Sequence, residues 1–222
     1  QLLADTVSKV RQHPRITLEL GQSVKDVNGF VGNFTSILDN GREIPHGVAV
    51  LATGADEYQG PEYALGTDSR IMTQRQVAGE IFGSNHWERN PDRVVMIQCV
   101  GSRNDEHPYC SRICCSRAVQ NAVRMKEMKP ETDVTVLYRD IRAYGFYERD
   151  YQRARELGVK FMRFDRDDEP VVSNNGRLCV TTSDPLLGAK IVMDADLIVL
   201  STGITPDADA NDTLGKLFKV PV

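Results

Sequence analysis

No G-x-G-x-x-G occurs anywhere in the 222 residues. That removes the usual glycine turn by which a helix start approaches a dinucleotide pyrophosphate. No apolar run approaches the roughly 20 residues a membrane helix needs, so direct membrane insertion is not expected. The opening Gln1-Leu2-Leu3-Ala4-Asp5 has no basic n-region and no long apolar core. A secretory signal is therefore absent from this reading, and the chain reads as cytoplasmic. Charge of one sign is missing too. The net −4 comes from interspersed acids and bases and leaves no footprint for nucleic acid or anionic lipid. The four histidines are scattered, none with a partner at ligand spacing. Cysteine, at five residues, is too scarce for a disulfide scaffold, and a chain of this length builds its own core without one.

What cysteine there is lies together. Cys99, Cys110, Cys114 and Cys115 fall within 17 residues, and Cys179 stands alone in Arg177-Leu178-Cys179-Val180, where it reads as strand core. A clustered set of this kind favours metal or redox chemistry over structural bridges.

The rest of the chain reads as α/β. A short helix over 2–12 ends at His13-Pro14. Short alternating stretches at 16–20, 23–28 and 31–38 follow, and Asp39-Asn40-Gly41-Arg42 is a strong hairpin turn. These make a small antiparallel meander. Gly47–Ala52 is a continuous apolar run, the signature of a strand buried on both faces. Thr73-Gln74-Arg75-Gln76 fits a capping box that starts a helix reaching about Phe82. Strands at 93–98, 133–138 and 159–164 then alternate with helices at 111–129 and 146–157, which predicts a doubly wound parallel sheet. Further strands are expected at 177–183, 190–193 and 196–200.

Two strands end on the same small pair: Ala52-Thr53-Gly54 and Ser201-Thr202-Gly203. Small residues let backbone come close to a ligand or to a neighbouring strand. Flavoproteins with two dinucleotide-binding domains have such junctions where the chain passes between domains, which makes Thr53, Gly54, Thr202 and Gly203 candidate cofactor-binding residues.

Cys99 ends the strand beginning at Val94, at the place where a nucleotide-binding unit carries its glycine loop. Here the loop to Cys110 holds one glycine and two acids, a poor phosphate cradle. If Ser111 caps the following helix, Cys114 and Cys115 lie in its first turn and Cys110 just outside. Helix N-termini and arginines such as Arg103, Arg112 and Arg117 favour thiolate. Four cysteines at this spacing suit an iron–sulfur cluster. Structural zinc stays open, although adjacent ligands are unusual for it. A redox dithiol and four unrelated buried thiols also stay open.

The stretch Gln98-Cys99-Val100-Gly101-Ser102-Arg103, with Pro108-Tyr109-Cys110-Ser111-Arg112 and Cys114-Cys115, resembles the A-type subunit of heterodisulfide reductases. So do Gly29–Phe34, Tyr138–Ala143 and Ala195–Ile204, in the same order. The resemblance implies a Rossmann-like, thioredoxin-reductase-like flavoprotein core holding FAD, with a [4Fe–4S] cluster on Cys99, Cys110, Cys114 and Cys115. It implies an oxidoreductase component passing electrons between flavin and cluster, with B- and C-type subunits and a hydrogenase or dehydrogenase donor as partners. On this basis residues 1–60 are expected to be part of an FAD-binding domain. Residues 61–200 would be the central Rossmann-like domain, and 201–222 a truncated return to the first, making the chain a piece of a longer protein. The rivals are an NAD(P)H-dependent disulfide reductase domain and a zinc-stabilised interaction domain.

Arg139 and Asp140 stand where dinucleotide enzymes place a ribose or phosphate partner. Tyr144, Tyr147 and Tyr151 share one helical face and are expected to pack. His107 is the one histidine inside the cysteine loop. Arg163–Glu169 reads as a solvated charged loop.

Overall fold

The computed structural model describes residues 2–83 and 86–220. In chain order the first elements are helix α1 (Leu2–Gln12) and strands β1 (Val24–Phe30), β2 (Asn33–Leu38), β3 (Glu43–His46) and β4 (Asp56–Glu57). Then come β5 (Ile71–Thr73), α2 (Gln74–Ile81), β6 (Arg93–Val100), α3 (Cys114–Met128), β7 (Asp133–Tyr138) and α4 (Glu148–Glu156). The chain continues through β8 (Lys160–Arg163), β9 (Val171–Asn174), β10 (Leu178–Asp184) and β11 (Ala189–Asp194). It closes with β12 (Leu197–Thr202), β13 (Ile204–Thr205) and α5 (Ala208–Phe218). Two compact units result: Gln1–Gly54 with Pro206–Val222, and Ala55–Thr205.

The larger unit is built on a five-stranded sheet ordered β5-β12-β6-β7-β8, every pair parallel. Its central strands read Val-Val-Met-Ile and Leu-Ile-Val-Leu because both faces are covered and every position must be apolar. One face carries α2, α3 and α4, with Val77, Ile81, Val119, Met125 and Ala154 packed on Val94, Met96 and Val199. The other face is covered by the antiparallel sheet β11-β10-β9, through Leu178 and Val180 on Ile97, Ile198 and Leu200. The second cover is therefore strands, where alternation alone suggested helices. Chains of apolar contact this complete stabilise each fully buried Ile or Leu by about 1.5–3 kcal/mol.

The order of the strands decides where a site can form. From β6 the chain runs outward to β7 and β8, then crosses back to lie on the other flank of β6 as β12. The carboxyl ends of β6 and β12 are thus the topological switch point, the crevice where open α/β sheets bind ligands.

In the smaller unit β1, β2 and β3 form an antiparallel meander. The strand expected at 16–20 does not form, and Glu43–His46, after the Asn40-Gly41 turn, supplies the third strand instead. The β2–β3 turn uses Gly41 at φ +82, with its N–H on the Leu38 carbonyl at 2.8 Å. The apolar run 47–52 forms no strand, contrary to expectation, and is exposed throughout. A strand buried on both faces needs paired neighbours and two covering layers. The described residues of this unit supply only the meander and two helices, so Val48 and Val50 stay about four-fifths exposed or more, at 79% and 85%.

Thr73 both ends β5 and caps α2. Its hydroxyl accepts from the Gln76 N–H at 3.3 Å, and Gln76 Oε1 accepts from the Thr73 N–H at 2.8 Å. Thr73→Ala is expected to lower unfolding stability by roughly 0.5–2 kcal/mol, read as a shifted urea midpoint at unchanged slope. An unchanged midpoint would show that β5 alone sets the start of α2.

Candidate functional site

The chain leaves β6 through a loop of unusual backbone. Cys99 (φ +65), Gly101 (+65) and Arg103 (+57) are left-handed, as is Arg112 (+63) just before α3. Three of the four are not glycine, and each such residue stores on the order of 1–2 kcal/mol that surrounding contacts must hold. Those contacts are visible. The Arg103 N–H donates to the Tyr109 carbonyl at 3.2 Å and Asn104 N–H to His107 O at 3.2 Å. Gly203 N–H donates to Val100 O at 2.8 Å, and Tyr58 N–H to Gly203 O at 2.8 Å.

Gly101 and Gly203 are small for a reason. A Cβ on Gly203 would sit 3.0 Å from Ser102 Cβ and 3.2 Å from Gly101 O. A Cβ on Gly101 would fall 2.0 Å from the Tyr58 ring. Tyr58 therefore lies against the cysteine loop, edge-on to His107 at 5.6 Å, and His107 meets Tyr109 at 5.9 Å. His107 serves here as part of an aromatic cover.

Each of the four clustered thiols has its own anchor. Cys99 Sγ accepts from Arg103 Nη1 at 3.8 Å, and Cys110 Sγ from the Arg112 N–H at 3.4 Å. Cys114 Sγ lies 3.5 Å from Thr202 O, and Cys115 Sγ 3.6 Å from Asp140 O. Cys114 and Cys115 are the first two residues of α3, whose N-cap Ile113 offers no side-chain hydrogen bond. The expected Ser111 cap is not formed. Ser111 Oγ accepts from Ile204 N–H at 2.8 Å instead, so it ties the loop to β13 and leaves the first N–H groups of α3 without a side-chain cap.

Charged residues brace the loop from β7. Arg103 Nη2 donates to Asp140 Oδ2 at 2.6 Å, and Arg139 Nη1 to the Arg103 carbonyl at 2.9 Å. Arg139 is itself buried and paired with Glu169, and Asp105 is paired with Arg166. Arg139 and Asp140 are thus committed to the cysteine loop, at positions where dinucleotide enzymes meet a ribose or phosphate. The charged stretch 163–169 is a tether as well as a solvated loop. Tyr151 packs edge-on to Phe161 at 4.7 Å, while Tyr144 and Tyr147 precede α4 and are exposed. Cys179 sits on β10 half-buried, donating to Asp194 at 3.3 Å, and is not core.

Electrostatics link the thiols. Burial first, and then repulsion from Cys115, Cys99 and Cys110, together push the Cys114 thiol up to about 12. Burial also raises Cys99, against the pull of Arg103 and Arg139. Cys115 is raised by burial and by its neighbours Cys99 and Cys110, while the Arg142 N–H opposes. The sulfurs therefore act on one another across a desolvated space.

Among the described residues, no three Cys, His, Asp or Glu side chains are close enough to share one metal ion. Tetrahedral zinc needs four sulfurs about 2.3 Å from one point, whereas a cubane is gripped at four separate corners. A cavity of about 280 Å³ adjoins Cys114, lined by Gln74, Arg75, Ile113, Arg117, Ser201 and Thr202. Thr202 and Gly203 thus lie beside the cysteines. Thr53 and Gly54 belong to the smaller unit and are exposed, with Thr53 Oγ1 donating to Asn211 Oδ1 at 2.7 Å and Gly54 at φ +75.

No protein-family model matches the chain. Curated proteins do. The chain is 38% identical over 193 residues to the A-type subunit of the H(2)/formate:CoB-CoM heterodisulfide,ferredoxin reductase of Methanococcus maripaludis, covering 78% of this chain and 29% of that protein. It is 38% identical over 191 residues to the A-type iron-sulfur subunit of the CoB–CoM heterodisulfide reductase of Methanocaldococcus jannaschii, covering 78% and 28%. The corresponding subunit of the ferredoxin:CoB-CoM heterodisulfide reductase of Methanosarcina acetivorans is 33% identical over 205 residues, covering 74% and 26%. This chain belongs to the family of heterodisulfide reductase A-type subunits. It spans little more than a quarter of the length of those three relatives. Among solved structures, the thioredoxin reductase of T. acidophilum overlays with TM-score 0.48 at 15% identity, covering 93% of this chain and 58% of that one. The NAD-dependent persulfide reductase of A. fulgidus overlays with TM-score 0.49 at 18% identity, covering 94% and 35%. No helix of the described residues is long and apolar enough to cross a membrane.

Two outcomes follow for this heterodisulfide-reductase-family chain. Gly101→Ala is expected to cost about 1–3 kcal/mol by driving Cβ into Tyr58. Adding Tyr58→Ala to that variant should make the second loss smaller than Tyr58→Ala causes alone, in a double-mutant cycle of urea midpoints; strict additivity would deny the contact. The raised thiols also set a pH dependence in the metal-free, reduced chain. Folded values above the ordinary 9.0 favour folding fully at lower pH, and that contribution is lost as pH climbs from 9.0 to about 12. Urea midpoints should fall across that alkaline window, and Cys114→Ser should flatten the fall.

Proposed function

We propose that this chain holds a [4Fe–4S] cluster on Cys99, Cys110, Cys114 and Cys115. It would act as the electron-transfer segment of a heterodisulfide-reductase-type oxidoreductase. The observation that carries the reading is the gathering of four thiols, Cys99, Cys114 and Cys115 desolvated, around an uncapped helix start at the switch point. Those desolvated thiols are poor thiolates by themselves, since burial and mutual repulsion both favour the proton. Iron bound among them would reverse that balance, because a coordinating thiol is deprotonated outright. The donor set thus fits a four-cysteine cluster, and one-electron exchange is what that cluster supplies when bound.

The protein's own residues do the remaining work. The first N–H groups of α3 and the Arg103 guanidinium stabilise negative charge at the sulfurs. Tyr58, edge-on to His107, packs against the loop at Gly101. Thr202 and Gly203 allow β12 and the loop to approach closely, and the domain limits near 60 and 200 would separate this redox unit from flavin-binding segments.

Flavin itself fits these residues less well. The strand–loop–helix that would cradle a pyrophosphate carries cysteines, and Thr53-Gly54 stand exposed in the smaller unit. In the proposed assembly FAD exchanges electrons with the cluster, and B- and C-type subunits and a hydrogenase or dehydrogenase donor complete the path. The relatives' names pair ferredoxin with the CoB-CoM heterodisulfide, which makes a disulfide the proposed terminal acceptor here.

The test is the iron and acid-labile sulfide content of the chain after anaerobic reconstitution. About four of each per chain, with broad visible absorbance that bleaches on reduction, is expected. Cys114→Ser should lose that absorbance and most of the iron. Zinc, or no metal at all, in protein kept from air would overturn the reading in favour of a zinc-stabilised or nicotinamide-linked domain.

A further inference from the structure

We infer that Arg103 is a positioning residue that raises the reduction potential of the cluster by donating to the Cys99 sulfur, with Asp140 opposing it. The inference rests on the iron–sulfur reading above and adds to it a specific electrostatic pair.

Arg103 is fixed at four points. Its Nη1 reaches Cys99 Sγ at 3.8 Å and its Nη2 reaches Asp140 Oδ2 at 2.6 Å. Its N–H donates to Tyr109 O at 3.2 Å, and its carbonyl accepts from Arg139 Nη1 at 2.9 Å. Arg139 in turn is buried, paired with Glu169 and set 5.7 Å over the Phe164 ring. The left-handed φ of +57 at Arg103 is tolerated because these bonds hold the backbone where the guanidinium meets the sulfur. A surface arginine making a chance contact would need none of this bracing.

The consequence follows from charge. Reducing the cluster adds one electron to a group already made negative by four thiolates. A cation donating to a ligand sulfur stabilises the reduced form more than the oxidised one, and so lifts the potential. Asp140, a half-exposed carboxylate bonded to the other arm of the Arg103 fork and 3.9 Å from Arg142, acts in the opposite sense. The two residues should therefore move the potential in opposite directions, although losing either one breaks the same ion pair. A merely structural pair would not show that split.

The experiment is an anaerobic redox titration of the reconstituted 222-residue chain, with dithionite as the one-electron reductant and the visible absorbance as readout. Arg103→Gln is expected to shift the oxidised-to-reduced ratio about tenfold toward oxidised at fixed potential, a fall of roughly 59 mV for one electron. Arg103→Lys, which keeps the charge and loses the fork, should fall less. Asp140→Asn should shift the ratio toward reduced. Arg103→Gln that carries its full iron at an unchanged potential overturns the inference. So does Asp140→Asn moving downward or not at all, which covers the case of an Arg103 variant that fails to fold. Failure of the unaltered chain to take up iron and sulfide is a separate result, seen before any titration, and overturns the cluster reading itself.

Discussion

The cysteine site depends on one long-range parallel pair. β12 lies against β6 with Leu197 opposite Val94, a separation of 103 positions, and Thr202 opposite Val100. The register is pinned at the amino ends. Asp196 takes Arg93 Nη2 at 2.8 Å and the Arg93 N–H at 2.9 Å, while its own N–H donates to Arg93 O at 2.9 Å. The Arg93 guanidinium holds the Asp196 carboxyl below the usual carboxylate range. At the other end the register shifts by one residue between Leu200 and Thr202, and beyond that irregularity Thr202 O lies against Cys114 while the Gly203 N–H meets the Val100 carbonyl. A slip by one residue would turn every apolar side chain of β12 to the opposite face. Packing on both faces of the sheet is thus what fixes sulfur positions at its edge.

Given that frame, the site reads as a dinucleotide corner changed in its loop and kept in its field. A helix N-terminus at a switch point attracts negative charge, and a pyrophosphate normally supplies it. A four-thiolate cluster is anionic as well, so the helix dipole serves either ligand. What differs is the approach. Phosphate needs bare backbone, hence glycines, whereas a cluster needs side chains that reach inward. Cys99 and Arg103 occupy left-handed positions that a phosphate loop would fill with glycine.

Much of the fold is legible in the sequence. The capping box at Thr73, the turn at Asn40-Gly41 and the buried strands 93–98 and 133–138 carry their signals locally, in hydrogen-bonding side chains and unbroken apolar runs. The spacing of the cysteines places two of them at a helix start for the same reason. What the sequence hides depends on partners elsewhere in the chain. Gly47–Ala52 has the composition of a buried strand but pairs with no strand among the described residues. Ser111 could cap α3 by its position, yet Ile204 N–H takes its hydroxyl. β5 is three residues long and is buried only because β12 reaches it. α5 carries a weak local signal, although Asp207 caps it through the Ala210 N–H at 3.0 Å. Arg139 and Asp140 stand out as a pair, but only their neighbours reveal that they serve Arg103.

The bracing of the loop also explains why so many of its supports lie outside it. A loop with three non-glycine residues at positive φ cannot hold that conformation by its own few hydrogen bonds. Tyr58 presses on it from the segment after β4, Asp140 and Arg139 grip it from the end of β7, and Gly203 and Thr202 meet it from β12. The supports come from the ends of three different strands of the same unit, so the conformation is over-determined. That is the condition under which strain persists in a native state. In the proposed redox role the same bracing would serve a second end, since ligands already held by the scaffold have little freedom left to rearrange when the charge they surround changes.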